Sequence, residues 1–368
     1  MTKLRLTLAQ TIVLWVLGLG LAVQSSPSEN LVLVTLDGVR GEELFKGLDS
    51  VVLEEFAKKK EKEAARLRSE FAGATPQESR EKLMPFFWTQ LMQEHGAVVG
   101  NRWKGSEMKL TNRHRFSYPG YSEILVGFAA DEKITSNEAI PNPNQTVLQF
   151  FQDRFNLSYD QCAVFGCWNV ITAIASSEPN SFLCNSGYQA YVSPDPIVRL
   201  LSQAQFETKS PWDSVRHDYY TFRFAMDHLQ RKRPKVLYLS LGETDDWSHD
   251  LRYDRVLQAI HQTDRYLEEL WGYLQQDPHY KNKTTLVVAT DHGRGTNAFN
   301  WGSHNARIDG AQFVWMAVAG PEISLRGELL DQETVYQNQI AATLCLALGI
   351  DSKEFSEKAG EPVRSLLR

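Results

Sequence analysis

Positive charge is in short supply in this chain. Its 39 Lys and Arg are outnumbered by 45 Asp and Glu, for a formal net charge of -6. Binders of nucleic-acid polymers usually carry a basic excess, so no such partner is expected. A small anionic substrate is not excluded, because local charge in a cleft decides that. Cysteine is also scarce, with four in 368 residues. Cys162 and Cys167 have the spacing of half a zinc finger, but no second Cys/His pair follows at finger spacing. The four cysteines fit either an exported chain with one or two disulfides or simply buried thiols, and spacing does not give the pairing. Long apolar runs are missing too. The most prominent, Thr11 to Val23, falls short of the roughly 20 residues a membrane-spanning helix needs. There are no internal repeats and no low-complexity linkers.

That one apolar stretch has a different reading. Lys3 and Arg5 precede it, and Ser25, Ser26 and Ser28 follow it. This is the layout of a signal peptide over residues 1–25, with a retained anchor as the alternative. Export, periplasmic or secreted, is therefore expected, with no stable membrane span beyond the leader. Asn144, Asn156 and Asn282 match the glycosylation acceptor pattern, which matters only in a eukaryotic secretory pathway. The remaining composition, 42% hydrophobic and 23% charged overall, is that of an ordinary globular protein. The length suits two domains or one large α/β domain.

What the chain does have is a repeated grammar of short apolar runs that stop at an acid. Asn30–Leu36 ends at Asp37-Gly38, Lys235–Leu241 leads into Glu243-Thr-Asp245 and on to His249, and Leu286–Ala289 ends at Thr290-Asp291-His292-Gly293. Continuous apolar runs of this length read as strands buried on both faces. Ligands of an open α/β sheet bind just beyond the carboxyl ends of its strands. Two such carboxylates meet only if their strands are neighbours. Helices are expected over 51–82, over Glu81–His95 with Pro85 near its start or kinking it, and over 211–231, 252–276 and Val335–Leu348. Further strands are expected at Ala97–Asn101, Ala163–Gly166 and Phe313–Val318.

Each motif alone has a plainer explanation. Asp37-Gly38 is a common turn pair, Asp291 serves equally as a strand-end cap, and an Asp/His pair four apart on a helix is usually just exposed. Ser117, ahead of a Tyr-Pro-Gly turn and a helical pattern, is either an N-cap or a hydroxyl at an anion-cradling helix N-terminus. Arg113, His114 and Arg115 add positive charge nearby. Taken together, with His304 in a Trp/Gly/Ser-rich loop, they supply enough carboxylates and imidazoles for two divalent metals about 3.5–4 Å apart.

In that order, the motifs resemble the alkaline phosphatase superfamily over nearly all of the chain beyond the leader. The wording is nearest its nucleotide pyrophosphatase/phosphodiesterase branch and related exported phosphatases. The resemblance implies a three-layer α/β/α sandwich around a largely parallel sheet, with one catalytic domain over 28–368. It implies a metal held by Asp245, His249 and His304, and a second held by Asp37, Asp291, His292 and the oxygen of Ser117, the nucleophile. The metals would be zinc, with manganese or iron as alternatives. Asn137 would hydrogen-bond a phosphate oxygen, and Arg113 or Arg115 would offset its charge. Tyr121 stands where sulfatases of the superfamily place the Arg of a C/S-x-P-x-R motif, so a sulfatase is disfavoured. The phosphodiesterase branch usually has Thr rather than Ser as nucleophile, which leaves monoester against diester open.

The function implied is an exported two-metal phosphoester hydrolase, a phosphatase or phosphodiesterase, acting on a small phosphorylated substrate through a phosphoserine intermediate. The alternatives are a phosphotransferase or phosphomutase of the same superfamily, or a non-catalytic, metal-stabilised binding protein. Tyr118, Tyr121, Trp168 and Trp301 either wall the second group of a diester or belong to the core.

Overall fold

The computed structural model describes residues 26–323 and 325–367. The signal-peptide reading of residues 1–25 lies outside the described residues. Ten strands run in chain order: β1 Asn30–Leu36, β2 Gly96–Val99, β3 Ser106–Lys109, β4 Cys162–Gly166, β5 Leu183–Ser186, β6 Val236–Leu241, β7 Thr284–Thr290, β8 Met316–Ala319, β9 Gly327–Glu328 and β10 Gln332–Tyr336. Eight form the central sheet in the order β5-β4-β6-β1-β7-β8-β2-β9, while β10 and β3 make a separate parallel pair. Only β8 runs against its neighbours.

The apolar runs of β1, β6 and β7 are continuous because every residue in them is buried. Successive residues serve different cores. Val32, Val34 and Leu36 face one cluster, shared with helices Ser50–Phe71, Asp218–Lys232 and Tyr253–Gln276. Leu31 and Leu33 face another, shared with helices Ser117–Val126, Val147–Arg154 and Ile340–Ala347. With the two-residue period of a strand, this makes a three-layer sandwich with helices on both faces. In register, Leu36 lies level with Leu241 on one side and Thr290 on the other. The three central strands therefore end on one line, and the segments after them leave from one edge.

Some elements differ from expectation. Glu81–His95 is not one helix. An α-helix ends at Leu83, Met84 takes φ -131° and ψ 71°, and a π-helix runs from Phe87 to His95. The ring of Pro85 excludes its predecessor from helical geometry. The new helix start is capped from a distance, since Asp264 accepts from Phe86 N–H at 2.9 Å and Phe87 N–H at 2.8 Å. Asp264→Ala should leave both donors buried and unpaired, lowering urea-unfolding stability by about 2–4 kcal/mol; Asp264→Asn, which keeps an acceptor, should lose less. If the alanine variant lost under about 0.5 kcal/mol, Asp264 would not be the cap.

Val335 and Tyr336 belong to a strand, not a helix, because they pair with Met108 and Lys109 of β3. The helix begins only at Ile340. The helix Pro196–Glu207 was not anticipated, although Asp195 caps it and Pro196 occupies its first turn, which is a recognisable start signal. All four cysteines are free thiols, three of them buried. Among the described residues, no helix is long and apolar enough to cross a membrane.

Candidate active site

The three aligned strand ends bring the acids together. Asp37 follows β1, Asp291 and His292 follow β7, and Asp245 and His249 sit on the short helix Glu243–His249 that begins just after β6. His292 Nε2 lies at the centre. It is 3.3 Å from Asp37 Oδ1, 3.5 Å from Asp291 Oδ2 and 3.7 Å from Asp245 Oδ1. Ser117 Oγ is 3.3 Å from the same nitrogen. On the far side, His249 Nε2 is 3.0 Å from Asp245 Oδ2 and 3.0 Å from His304 Nε2. The seven residues read from sequence as ligands or nucleophile thus share one pocket.

Two overlapping groups have ligand atoms mutually within 4.8 Å: Asp37, Asp291 and His292, and Asp245, His292 and His304. The carboxylates are half-satisfied in a telling way. Asp37 Oδ2 accepts from Tyr121 Oη–H at 3.0 Å, and Asp291 Oδ1 accepts from Gly38 N–H at 3.0 Å. The other oxygen of each, together with Asp245 Oδ1, is buried without a hydrogen bond. Unpaired buried carboxylate oxygens are costly, and oxygen and imidazole donors converging this way fit divalent cations.

The imidazoles are oriented for the same purpose. His292 Nδ1 bonds the Gly293 carbonyl at 2.9 Å, and His304 Nδ1 the Arg115 carbonyl at 3.2 Å. Both leave Nε2 facing the pocket, as the outer partners of ligating histidines do. Burial and the neighbouring His292 and Arg294 charges hold His304 well below its usual pKa. Burial and His292 also lower His249. Burial opposes the charge on His292, but Asp291 and Asp37 outweigh it and raise the group to about 9. Asp291 is pushed well above the carboxylate range by burial and by Asp37.

Local backbone explains why small residues stand where they do. A Cβ on Gly38, at φ +59°, would sit 2.7 Å from Arg294 and 2.8 Å from Asp245 Oδ1. A Cβ on Gly120 would meet the Asp291 carbonyl at 2.3 Å. Glycine at these positions lets the loops and the Ser117 helix close onto the carboxylates. Arg115 takes a left-handed φ of +57°, with its N–H donated to Asn112 Oδ1 at 2.9 Å. Behind it, Glu123 accepts four hydrogen bonds from Thr111 and Asn112 and fixes the loop ahead of Ser117.

Other expectations fare differently. Past Ser117 itself, the first turn of the Ser117 helix has no free N–H to offer an anion. Tyr118 N–H donates to Asn137 Oδ1 at 3.0 Å, Pro119 has no N–H, and Gly120 N–H donates to the Phe116 carbonyl. Asn137 is thereby brought beside Ser117. Arg113 is not drawn into the pocket: it is exposed and donates to Glu132 at 3.0 Å. Arg115 donates to Gln312 Oε1 at 3.1 Å, and only its carbonyl reaches a site residue. Tyr118, Tyr121 and Trp301 are buried core residues rather than a wall, while Trp168 is half-buried.

Arg294 was missed, though it stands inside the Asp291-His292-Gly293-Arg294 motif. It is buried, donates from Nε to the Gly38 carbonyl at 3.0 Å and from Nη1 to the Gly302 carbonyl at 3.0 Å, and lays Nη2 against Asp245 Oδ1. Nothing in the local pattern separates it from a loop arginine.

Comparison with known proteins accords with this geometry. Residues 85–318 match the family described as Type I phosphodiesterase / nucleotide pyrophosphatase. No curated protein matches the chain in sequence. Among solved structures, a mutant of the alkaline phosphatase PafA aligns with a TM-score of 0.60 at 10% identity, over 94% of this chain and 100% of that one. Inactive murine ectonucleotide pyrophosphatase / phosphodiesterase 5 in complex with AMP aligns at 0.54 and 12%, over 92% and 100%. A 2-O GAG sulfatase aligns at 0.55 and 12%, over 92% and 74%. At such identities the structural likeness speaks for the fold. With its family match spanning the Ser117 helix, Asp245, His249, Asp291, His292 and His304, the chain belongs to the Type I phosphodiesterase / nucleotide pyrophosphatase family.

Proposed function

We propose that this protein is an exported two-metal phosphoester hydrolase that cleaves a small phosphodiester through a phosphoserine intermediate on Ser117. The leader over 1–25 followed by one catalytic domain from 28 belongs to the same proposal. The observation that carries it is the set of three buried carboxylate oxygens that accept no hydrogen bond, on Asp37, Asp245 and Asp291, gathered around His292 Nε2 beside Ser117 Oγ.

Asp37, Asp291 and His292, with Ser117 Oγ, would hold one cation, and Asp245, His249 and His304 the other. When bound, two such cations lower the pKa of a coordinated hydroxyl and stabilise charge on the reacting oxygens. Zinc suits the mixed imidazole and carboxylate donors. The chain's own part is then definite. Ser117 Oγ gives up its proton, forms the Oγ–P bond in line, and the bond from phosphorus to the leaving oxygen breaks, that oxygen taking a proton from water. A water molecule next attacks phosphorus, the Oγ–P bond breaks, and Ser117 regains a proton. The Asn137 side chain accepts from Tyr118 through its oxygen, so its NH2 remains to donate to a non-bridging phosphate oxygen.

Two features favour a diester. A monoester carries the greater negative charge and rewards cationic side chains, but Arg113 is turned to Glu132 and Arg115 to Gln312. The family match has the same sense. Phosphate is favoured over sulfate because Tyr121, in the place of the sulfatase arginine, donates to Asp37 instead. The test is hydrolysis of bis-p-nitrophenyl phosphate, p-nitrophenyl phosphate and p-nitrophenyl sulfate with zinc added. The diester is expected to lead the monoester in kcat/KM by about tenfold or more, and the sulfate by more still. Preference for the sulfate, or no zinc-dependent turnover of any of the three, would sink the proposal.

A further inference from the structure

Most of the positive charge near the pocket is turned away from it, but one cation is built in. Arg294 is wholly enclosed; two of its three nitrogens donate to backbone carbonyls, and the third touches a carboxylate without a hydrogen bond. Nε binds the Gly38 carbonyl behind β1, Nη1 binds the Gly302 carbonyl two residues before His304, and Nη2 lies against Asp245 Oδ1. The guanidinium therefore ties the loop after β1 to the His304 loop. Its charge also faces Asp37, but of the three ligand carboxylates Asp245 is the one in contact with it. Asp245 touches it, whereas Asp37 is held by Tyr121 and Asp291 by Gly38.

Resting on the two-metal reading above, we infer that Arg294 makes the two cation positions unequal, weakening the one at Asp245, His249 and His304 relative to the one at Asp37, Asp291 and His292. The effect is electrostatic. A fixed positive charge in contact with Asp245 repels a divalent cation bound to that carboxylate, and repulsion at such range inside a protein is strong. At the other position, the neutral donors Tyr121 Oη–H and Gly38 N–H orient the carboxylates without adding charge. Arg294 is in this sense a positioning residue. It holds two loops together and grades the affinity of the pocket, so that one cation stays resident and the other exchanges with the medium.

The experiment measures bound zinc per chain, by elemental analysis of the whole protein equilibrated in buffers of graded free zinc. The wild type is expected to fill in two steps, with midpoints separated by on the order of tenfold or more. His249→Ala should remove the weaker step and leave the tighter one. Arg294→Met, which keeps most of the buried volume and drops the charge, should tighten the weaker step by about tenfold and merge the two. Arg294→Lys, which keeps the charge, should preserve the separation. Two wild-type steps of equal affinity, loss of the tighter step in His249→Ala, or an unchanged gap in a folded Arg294→Met would each overturn the inference. If Arg294→Met does not fold, Arg294→Gln, which also drops the charge, takes its place and should likewise merge the two steps. Failure to bind zinc at any concentration would instead strike the two-metal reading itself.

Discussion

Ser117→Ala is expected to remove turnover of the diester by at least about a thousandfold while leaving a folded protein with its full metal content. The argument is local. Ser117 is the first residue of its helix, but the N-cap position is Phe116, and no side chain caps the helix. The one hydrogen bond of its hydroxyl is the 3.3 Å contact with His292 Nε2. Deleting that oxygen opens no cap; it costs buried His292 Nε2 one long hydrogen bond but leaves it 3.3 Å from Asp37 Oδ1, so thermal unfolding should move by little. Chemistry is another matter. The displacement needs an oxygen on this helix to carry phosphorus between the two half-reactions, and alanine has none. Incubating wild type with labelled substrate at low pH should trap phosphate on Ser117, and the variant should trap none. Turnover within tenfold of wild type in a folded Ser117→Ala would end the covalent scheme.

The second large effect is expected at Asp291. Asp291→Asn keeps the shape and can still accept from Gly38 N–H, which Oδ1 now does at 3.0 Å. It removes the charge of the buried and unpaired Oδ2. Bound zinc should fall by one per chain, and kcat/KM by about a hundredfold or more. Stability should move the other way. Burial and Asp37 raise the Asp291 pKa well above the carboxylate range in the absence of a cation. The acid therefore resists ionisation in the metal-free fold more than it does in the unfolded chain. The cost of ionising it is absent below the ordinary carboxylate range and grows as pH rises through the elevated pKa. Metal-free Asp291→Asn should accordingly be more stable than metal-free wild type near neutral pH, by about 1–3 kcal/mol, with the gap closing on acidification. Thermal melts in chelator across pH would show it. A variant that keeps all its zinc, or is less stable than wild type without it, would contradict this placement of Asp291.

Much of the site was legible in the sequence for one reason. Buried parallel strands must be continuously apolar, so their ends are marked by the first acid that interrupts them. Asp37 and Asp291 are marked in this way, whereas after β6 the first acid is Glu243 and Asp245 is marked by His249 four residues on. The legible part stopped at backbone-driven chemistry. The Tyr-Pro-Gly turn ahead of a helical pattern marks Ser117, but the anion cradle expected with it is narrowed to the Ser117 N–H. Asn137 takes the Tyr118 N–H and Pro119 supplies none. Arg113 and Arg115 were chosen for charge and proximity in sequence, and both side chains bond elsewhere. Arg294 lay in plain view within the motif and carried no signal, because its partners come from residues 38, 245 and 302.

The sequence by itself determined the secondary elements that hold the acids, and the chemical type of the donors, since both follow from local pattern and side-chain identity. Whether those donors meet was decided by strand order. Only because β6, β1 and β7 are neighbours ending in register do carboxylates separated by some two hundred residues come within contact of one imidazole. Tertiary packing also decided where each positive charge goes, because an arginine binds whichever carbonyl or carboxylate the fold places within reach.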